Sequence, residues 1–192
     1  LVQFSDEIRE NANSAALAFR HEVEQKNQSS IIESANSLTA AYFRIDTKIE
    51  PLGSILNFFN EMLRKKNWYT SKLPTDRKLF KIPCVFGTEL APQFEKVIKL
   101  AGISRSQAIL EFTTTRTRVM TIGFSPGQPY AGLLSKKWDL PRLSEVSKSV
   151  PKSALVCAIR QLIIFSNSTP TGWHHIGPVS YTHLRAHETD RY

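Results

Sequence analysis

The segment that most limits what this chain can fold into is GFSPGQPYAGLL, residues 123–134, which follows the strand-like run RTRVMTI. Three glycines and two prolines share it with Phe124 and Tyr130. Proline brings no backbone donor to a ladder and glycine brings no side chain to a core, so the segment reads as a rigid, aromatic-bearing loop rather than more strand. Helix-rich organisation ends before it. Strands are expected over 116–124 and 153–165, the second long enough to bend around a barrel, with turn-rich loops between and after them. Upstream, residues 78–86 read as a strand on which Pro83 requires an edge position. Phe94, Val97, Ile98 and Ala101 then mark a short helix closed by Gly102, and Ser104 with Gln107 forms a capping box that opens another.

The N-terminal half is patterned differently. Val2 and Phe4 alternate with polar neighbours as a short strand does, and Ser5 with Asp6 supplies a helix start. Ile8, Ala12, Ala15, Ala16, Phe19 and Val23 follow at helical spacing, which predicts an amphipathic helix over 6–25. Residues 30–34 and 38–45 read as two strands joined by the turn-prone Ala35, Asn36 and Ser37. Pro51 suits the first turn of a second helix whose apolar face is Ile55, Leu56, Phe59, Met62 and Leu63. The order β, α, β, β, α is most of a split βαβ sandwich of the ferredoxin-like kind, ending before the polar segment 67–77. The expected class is α+β, with an α/β domain over 1–77 and a mostly β domain over 78–177.

Charge and composition narrow the function classes. With 41% hydrophobic and 22% charged residues, the 192-residue chain has the balance of an ordinary globular protein. Apolar runs such as 154–159 are too short to span a bilayer, and residues 1–20 lack the basic start and apolar centre of a secretory signal, so a cytoplasmic location without membrane association is expected. The formal charge of +8 favours an anionic partner. Its basic residues are scattered, with Arg64, Lys65 and Lys66 as the densest run at a helix end, and no nucleic-acid-binding stripe can be traced. A small anionic ligand or an acidic protein surface fits better. Cys84 and Cys157 carry no CxxC spacing and read as buried thiols. His174 and His175 fall on opposite faces of a strand, so no shared metal is expected. Neither GxxxxGK[ST], GxGxxG nor GxSxG occurs.

Five pieces occur in one order: GFSPGQPYAGLL, LPR at 140–142, VP at 150–151, AIRQ at 158–161 and TPTGWHHIG at 169–177. Together with IPCVFG at 82–87 they resemble the KipI or allophanate hydrolase subunit 1 family, of carboxyltransferase subdomain C and D type, which includes the B subunit of the bacterial ATP-dependent 5-oxoprolinase. The resemblance spans residues 1–177. It implies a ferredoxin-like α/β sandwich followed by a cyclophilin-like β-barrel. It further implies a non-autonomous subunit with two kinds of partner: a carboxyltransferase-like one, of the allophanate hydrolase subunit 2 or 5-oxoprolinase C-subunit type, and a lactam hydrolase of the 5-oxoprolinase A-subunit type. Together they would open the lactam of 5-oxoproline to glutamate. ATP is the cofactor the resemblance implies for that complex. The alternative it carries is a KipI-type protein inhibitor of a histidine kinase. Two departures stand out: Phe112 where many relatives have a histidine, and Ile159 with Arg160 where they have a Gly-Gly pair. Residues 178–192, PVSYTHLRAHETDRY, resemble the translated read-through of a sequencing-library adapter, whereas relatives continue with further barrel strands. A non-native tail and a barrel truncated at its C-terminus are therefore expected.

Against that background the loops suggest a substrate- or phosphate-binding site. Phe124 and Tyr130 form an apolar wall, with backbone donors from Gly127, Gln128 and Gly132. Arg142 and Arg160 can each grip a carboxylate or phosphate bidentately, and Gln161 can both donate and accept. Thr171 completes the set, Trp173 reads as core, and no residue is assigned a catalytic role.

Overall fold

The computed structural model describes residues 1–73, 75 and 77–179 and divides into two compact units, Leu1–Lys78 and the remainder from Leu79. In the first unit the elements are β1 (Val2–Gln3), α1 (Glu10–Glu24), β2 (Ile31–Ser37), β3 (Ala40–Ile45) and α2 (Leu52–Arg64). The sheet order is β1-β3-β2 and both pairs are antiparallel, so β3 lies between the two strands that α1 connects, as in a split βαβ unit. Phe19 of α1, Phe43 of β3, Phe59 of α2 and Trp68 of a following 3-10 turn pack ring against ring in its core. Such aromatic pairs add about 0.5–1.5 kcal/mol each beyond their burial.

Two local expectations change here. Helix α1 starts at Glu10 because Ser5 Oγ accepts from the Glu7 amide in a local turn, and Arg9 precedes the helix without a side-chain cap. The turn-prone Ala35, Asn36 and Ser37 lie inside β2; Ser37 pairs with Ala40, so the turn is Leu38 and Thr39. Buried Asn13 on α1 donates to the Leu38 carbonyl, a tertiary bond that outweighs local turn preference. On α2, Ile55, Phe59 and Met62 are buried while Leu56 faces solvent.

The second unit contains α3 (Phe94–Ala101), α4 (Arg105–Thr114), β4 (Arg118–Ile122), β5 (Pro129–Gly132), β6 (Ser147–Val150), β7 (Ala154–Ala158), β8 (Gln161–Ile164), β9 (Thr169–Thr171) and β10 (His174–Pro178). Five strands form an antiparallel sheet in the order β10-β7-β8-β5-β4, and β6 pairs with β9. The class is α+β. Gly102, at φ 67°, closes α3, and both bonds of the Ser104–Gln107 capping box are made. Alternation along β7 and β8 sends side chains into two cores. Leu155, Cys157, Leu162 and Ile164 pack with Phe94, Val97, Ile98 and Ala108 of the helices and with Trp138. Val156, Ala158, Ile163 and Phe165 pack instead with Val150, Trp173 and Tyr130.

Four expectations are corrected in this unit. Residues 153–165 are a hairpin rather than one long strand, because Ile159 and Arg160 sit at φ 42° and 62° and form its two-residue turn. The glycine- and proline-rich segment is not all loop: Pro129–Gly132 is β5, paired on both sides, and Pro129 is admitted as the strand's first residue. Residues 78–86 form no strand; Cys84 makes an isolated bridge to Val179, and Val85 donates to the Pro178 carbonyl. That contact makes Pro178 and Val179 part of the sheet and core rather than the start of a tail, with Pro178 opposite Ala154. The rest of the expected tail, 180–192, lies outside the described residues.

Candidate functional site

Against the Ile163 and Phe165 face of the sheet lies a cleft of about 270 Å³, lined by Phe124, Gln128, Tyr130, Arg142, Val146, Ile163, Phe165, Pro170, Thr171, Gly172 and Trp173. The turn between β4 and β5 supplies the first two. Gly123 donates to the Gln128 carbonyl, Ser125 to Gly123 and Gln128 to Ser125, and Gly127 takes the positive φ, 67°, that the turn requires. This closure leaves Phe124 77% exposed at the cleft while Gln128 is 1% exposed.

Arg142 is positioned by its neighbours. Leu143 donates to the Gly172 carbonyl at 2.6 Å, and the Pro141 carbonyl accepts from His174 Nε2 at 2.9 Å. A carbonyl can only accept, so Nε2 carries the proton and Nδ1, which has no hydrogen-bond partner among the described residues, is bare. Burial, and secondarily the Lys96 charge, lowers the His174 pKa, against the raising effect of the Pro141 bond; burial also lowers that of His175. Held this way, the Arg142 guanidinium lies 5.4 Å from the Trp173 ring centroid, and Tyr130 meets the same indole edge-on at 6.1 Å. An arginine on an aromatic face keeps its fork of donors directed outward. Among the described residues no carboxylate pairs with it. Gln128 Nε2 lies 3.5 Å from the Tyr130 hydroxyl, and its Oε1 has no partner among the described residues. Thr171 Oγ1 accepts from the Trp173 amide and fixes that turn.

Of the residues singled out in the sequence, Phe124, Gln128, Tyr130, Arg142 and Thr171 are brought together. Gly127, Arg160 and Gln161 do not line the cleft. Gly127 shapes the turn. Arg160 donates through Nε to the Leu134 carbonyl and through its amide to the Trp138 carbonyl, so it ties the hairpin turn to the 134–138 segment. Gln161 is buried on the same sheet face as Ile163 but opposite Gly132, at the other end of β8. The expected backbone donors are also committed: the Gln128 amide bonds to Ser125, and Gly132 lies in the ladder between β4 and β8. Val146, Ile163, Phe165, Pro170, Gly172 and the second role of Trp173 were not anticipated. Period-two alternation from Gln161 through Ile163 to Phe165 is the signal that could have found two of them, once the turn before Gln161 is recognised.

Other candidate chemistry lies elsewhere. Phe112 on α4 stacks on Phe86 and packs 4.3 Å from Trp138, inside the helix-side core rather than the cleft. Burial pushes both Cys84 and Cys157 up to about 12, which removes either as a ready thiolate. His174 and His175 pair with Cys157 and Val156, whose side chains enter different cores. Among the described residues no group of three or more His, Cys, Asp or Glu could hold a metal ion.

A family model for the carboxyltransferase domain, subdomain C and D, matches residues 1–191. The chain belongs to that family. It is similar to the 5-oxoprolinase B subunit of Bacillus subtilis (strain 168), at 28% identity over 98% of this chain and 81% of that protein. It is also similar to the 5-oxoprolinase B subunit of Escherichia coli O157:H7, at 29% identity over 61% of this chain and 55% of that protein. The crystal structure of TTHA0988 superposes with a TM-score of 0.72 at 23% identity, over 93% of this chain and 33% of that longer one, a likeness of fold. In this carboxyltransferase-family chain, no helix among the described residues is long and apolar enough to cross a membrane.

Proposed function

We propose that this chain is a non-autonomous subunit of an ATP-dependent 5-oxoprolinase, in which the cleft receives the carboxylate-bearing lactam. The observation that carries this reading is the Arg142 guanidinium, laid on Trp173 at the cleft and without a carboxylate partner among the described residues. A guanidinium so presented suits a single carboxylate, which it can hold bidentately. Ile163, Phe165 and Trp173 offer apolar surface to ring methylenes. At about 270 Å³ the cleft is small beside the roughly 300–1,000 Å³ pockets of drug-sized ligands. The similarity to two 5-oxoprolinase B subunits supports a lactam of this class as the substrate.

Among the described residues the cleft lining includes no thiol, histidine or carboxylate to attack or activate a carbonyl, and the Thr171 hydroxyl serves a backbone turn. This chain's part is therefore to bind and orient, and the bond-breaking chemistry falls to its partners, the lactam hydrolase and the carboxyltransferase-like protein. One guanidinium fits one anionic group and does not fit a triphosphate, so ATP handling is assigned to the rest of the complex. A cytoplasmic location follows from this reading.

The test is reconstitution with cognate partner subunits. Arg142→Ala should lower ATP-dependent opening of 5-oxoproline by on the order of 2–5 kcal/mol of transition-state binding while the complex still assembles. Lysine at this position should rescue poorly, because an ammonium cannot reproduce the planar fork. Unchanged turnover in Arg142→Ala would remove the cleft from the reaction. Tight binding to a histidine kinase, with no turnover alongside any partner, would replace the enzyme reading with the regulator one.

A further inference from the structure

The cleft holds a second polar feature that anion binding does not use. Gln128 is 1% exposed, lines the cleft, and has its Nε2 beside the Tyr130 hydroxyl while Oε1 meets no donor. A buried amide oxygen left without a donor is costly, and a native fold keeps one where water or a ligand completes it. The chain fixes the Gln128 backbone from both sides: its amide and carbonyl are tied into the 123–128 turn, and Pro129 follows as the first residue of β5. Gln128 thus brings an acceptor without a donor to the lining of the cleft that Arg142 also lines.

We propose that Gln128 is a specificity-determining residue that accepts a hydrogen bond from an N–H of the bound anion, so the cleft selects a carboxylate carrying an amide or lactam N–H over the same skeleton without that donor. The proposal rests on the cleft being the anion site described above. Arg142 sets affinity for the carboxylate, and Gln128 sets the choice among carboxylates of equal charge and size. A site built to bond a donor rejects the analogue that lacks it more strongly than an apolar pocket rejects an extra methylene.

Three probes of one shape separate the two roles: 5-oxoproline, the lactone with ring oxygen in place of N–H, and the cyclopentanone carboxylate with methylene in its place. Their affinities are measured by calorimetry on the full chain and on its complex with the partner subunits. The wild type should bind the lactam roughly tenfold or more above the other two. Gln128→Met, close in volume but without an acceptor, should bring the ratio to about one while leaving cyclopentanone carboxylate binding within about twofold. Gln128→Glu, which keeps acceptor oxygens, should weaken all three through charge repulsion yet keep the lactam preference. Because the readout is a ratio, a variant that folds less well still reports, and the wild-type ratio alone decides if a variant is lost. A wild-type ratio near one overturns the Gln128 role and leaves the Arg142 reading standing, provided Arg142→Ala abolishes binding of all three. Failure of every probe to bind either form overturns both.

Discussion

On the helix side of the five-stranded sheet, Leu155, Cys157, Leu162 and Ile164 meet Phe94, Val97 and Ile98, whereas the opposite side, built from alternate residues of the same strands, mixes Val156, Ile163 and Phe165 with Tyr130 and the buried amides of Gln128 and Gln161. Both amides leave an atom without a partner. Alternation along a strand lets one sheet separate its tasks: the side that meets helices can be filled with apolar volume, and the side that meets loops can hold polar groups that water or a ligand completes. Truncating an aromatic on each side tests this division of tasks. Phe94→Ala, fully buried against the sheet, should cost about 3–5 kcal/mol in denaturant unfolding. Phe124→Ala at the cleft, 77% exposed, should stay within about 0.5 kcal/mol. Equal losses would mean that Phe124 packs into a core and that the two sides share one task.

Acid should act on both sides through β10, because each of its histidines opposes a residue of a different core, His174 on Cys157 and His175 on Val156. Burial holds both below the ordinary histidine value of 6.5. The unfolded chain therefore binds more protons than the native one below that value. Their contribution to stability is fully present above 6.5 and is lost as the pH falls below it and through the lower native values. Melting temperatures measured from about pH 7.5 down to about pH 5 should decline, and His174→Gln should flatten part of the slope. A slope unchanged in His174→Gln would mean that His174 binds its proton equally in the native and unfolded chains, so that burial does not hold its pKa down.

The parts of this molecule legible from sequence are those where local chemistry and tertiary need agree. Gly102 and the Ser104–Gln107 box ended and began helices as expected, since their bonds are made within a few residues. Arg142, Gln128 and Tyr130 were reachable because their loops resemble a known pattern and their side chains suit an anion. What could not be read rests on contacts distant in sequence. The Leu38–Thr39 turn is held by Asn13 on another element, and Cys84 meets its bridge partner at Val179. Arg160 looked like a ligand because a guanidinium suits anions, but its Nε satisfies the Leu134 carbonyl, a group that composition and spacing do not reveal.

Ile159 offers the smallest and most specific test, because it is where turn chemistry and sequence disagree most. A two-residue hairpin turn with both centres at positive φ favours Gly, Asn or Asp, and this chain has isoleucine and arginine at 42° and 62°. A left-handed conformation costs an L-residue roughly 1–2 kcal/mol, and a β-branched one suffers it fully. Ile159 recovers part of that by packing, half-buried, against the Val156 and Ile163 core. In Ile159→Gly, release of the strain should offset the lost contacts and the added chain entropy, leaving a net change under about 1 kcal/mol. Ile163→Ala, in the same core but with ordinary strand geometry, should cost about 2–5 kcal/mol. If the two lose stability equally, Ile159 is an unstrained core residue, the hairpin turn lies elsewhere, and the alternation that places Gln161 on the cleft side of the sheet shifts with it.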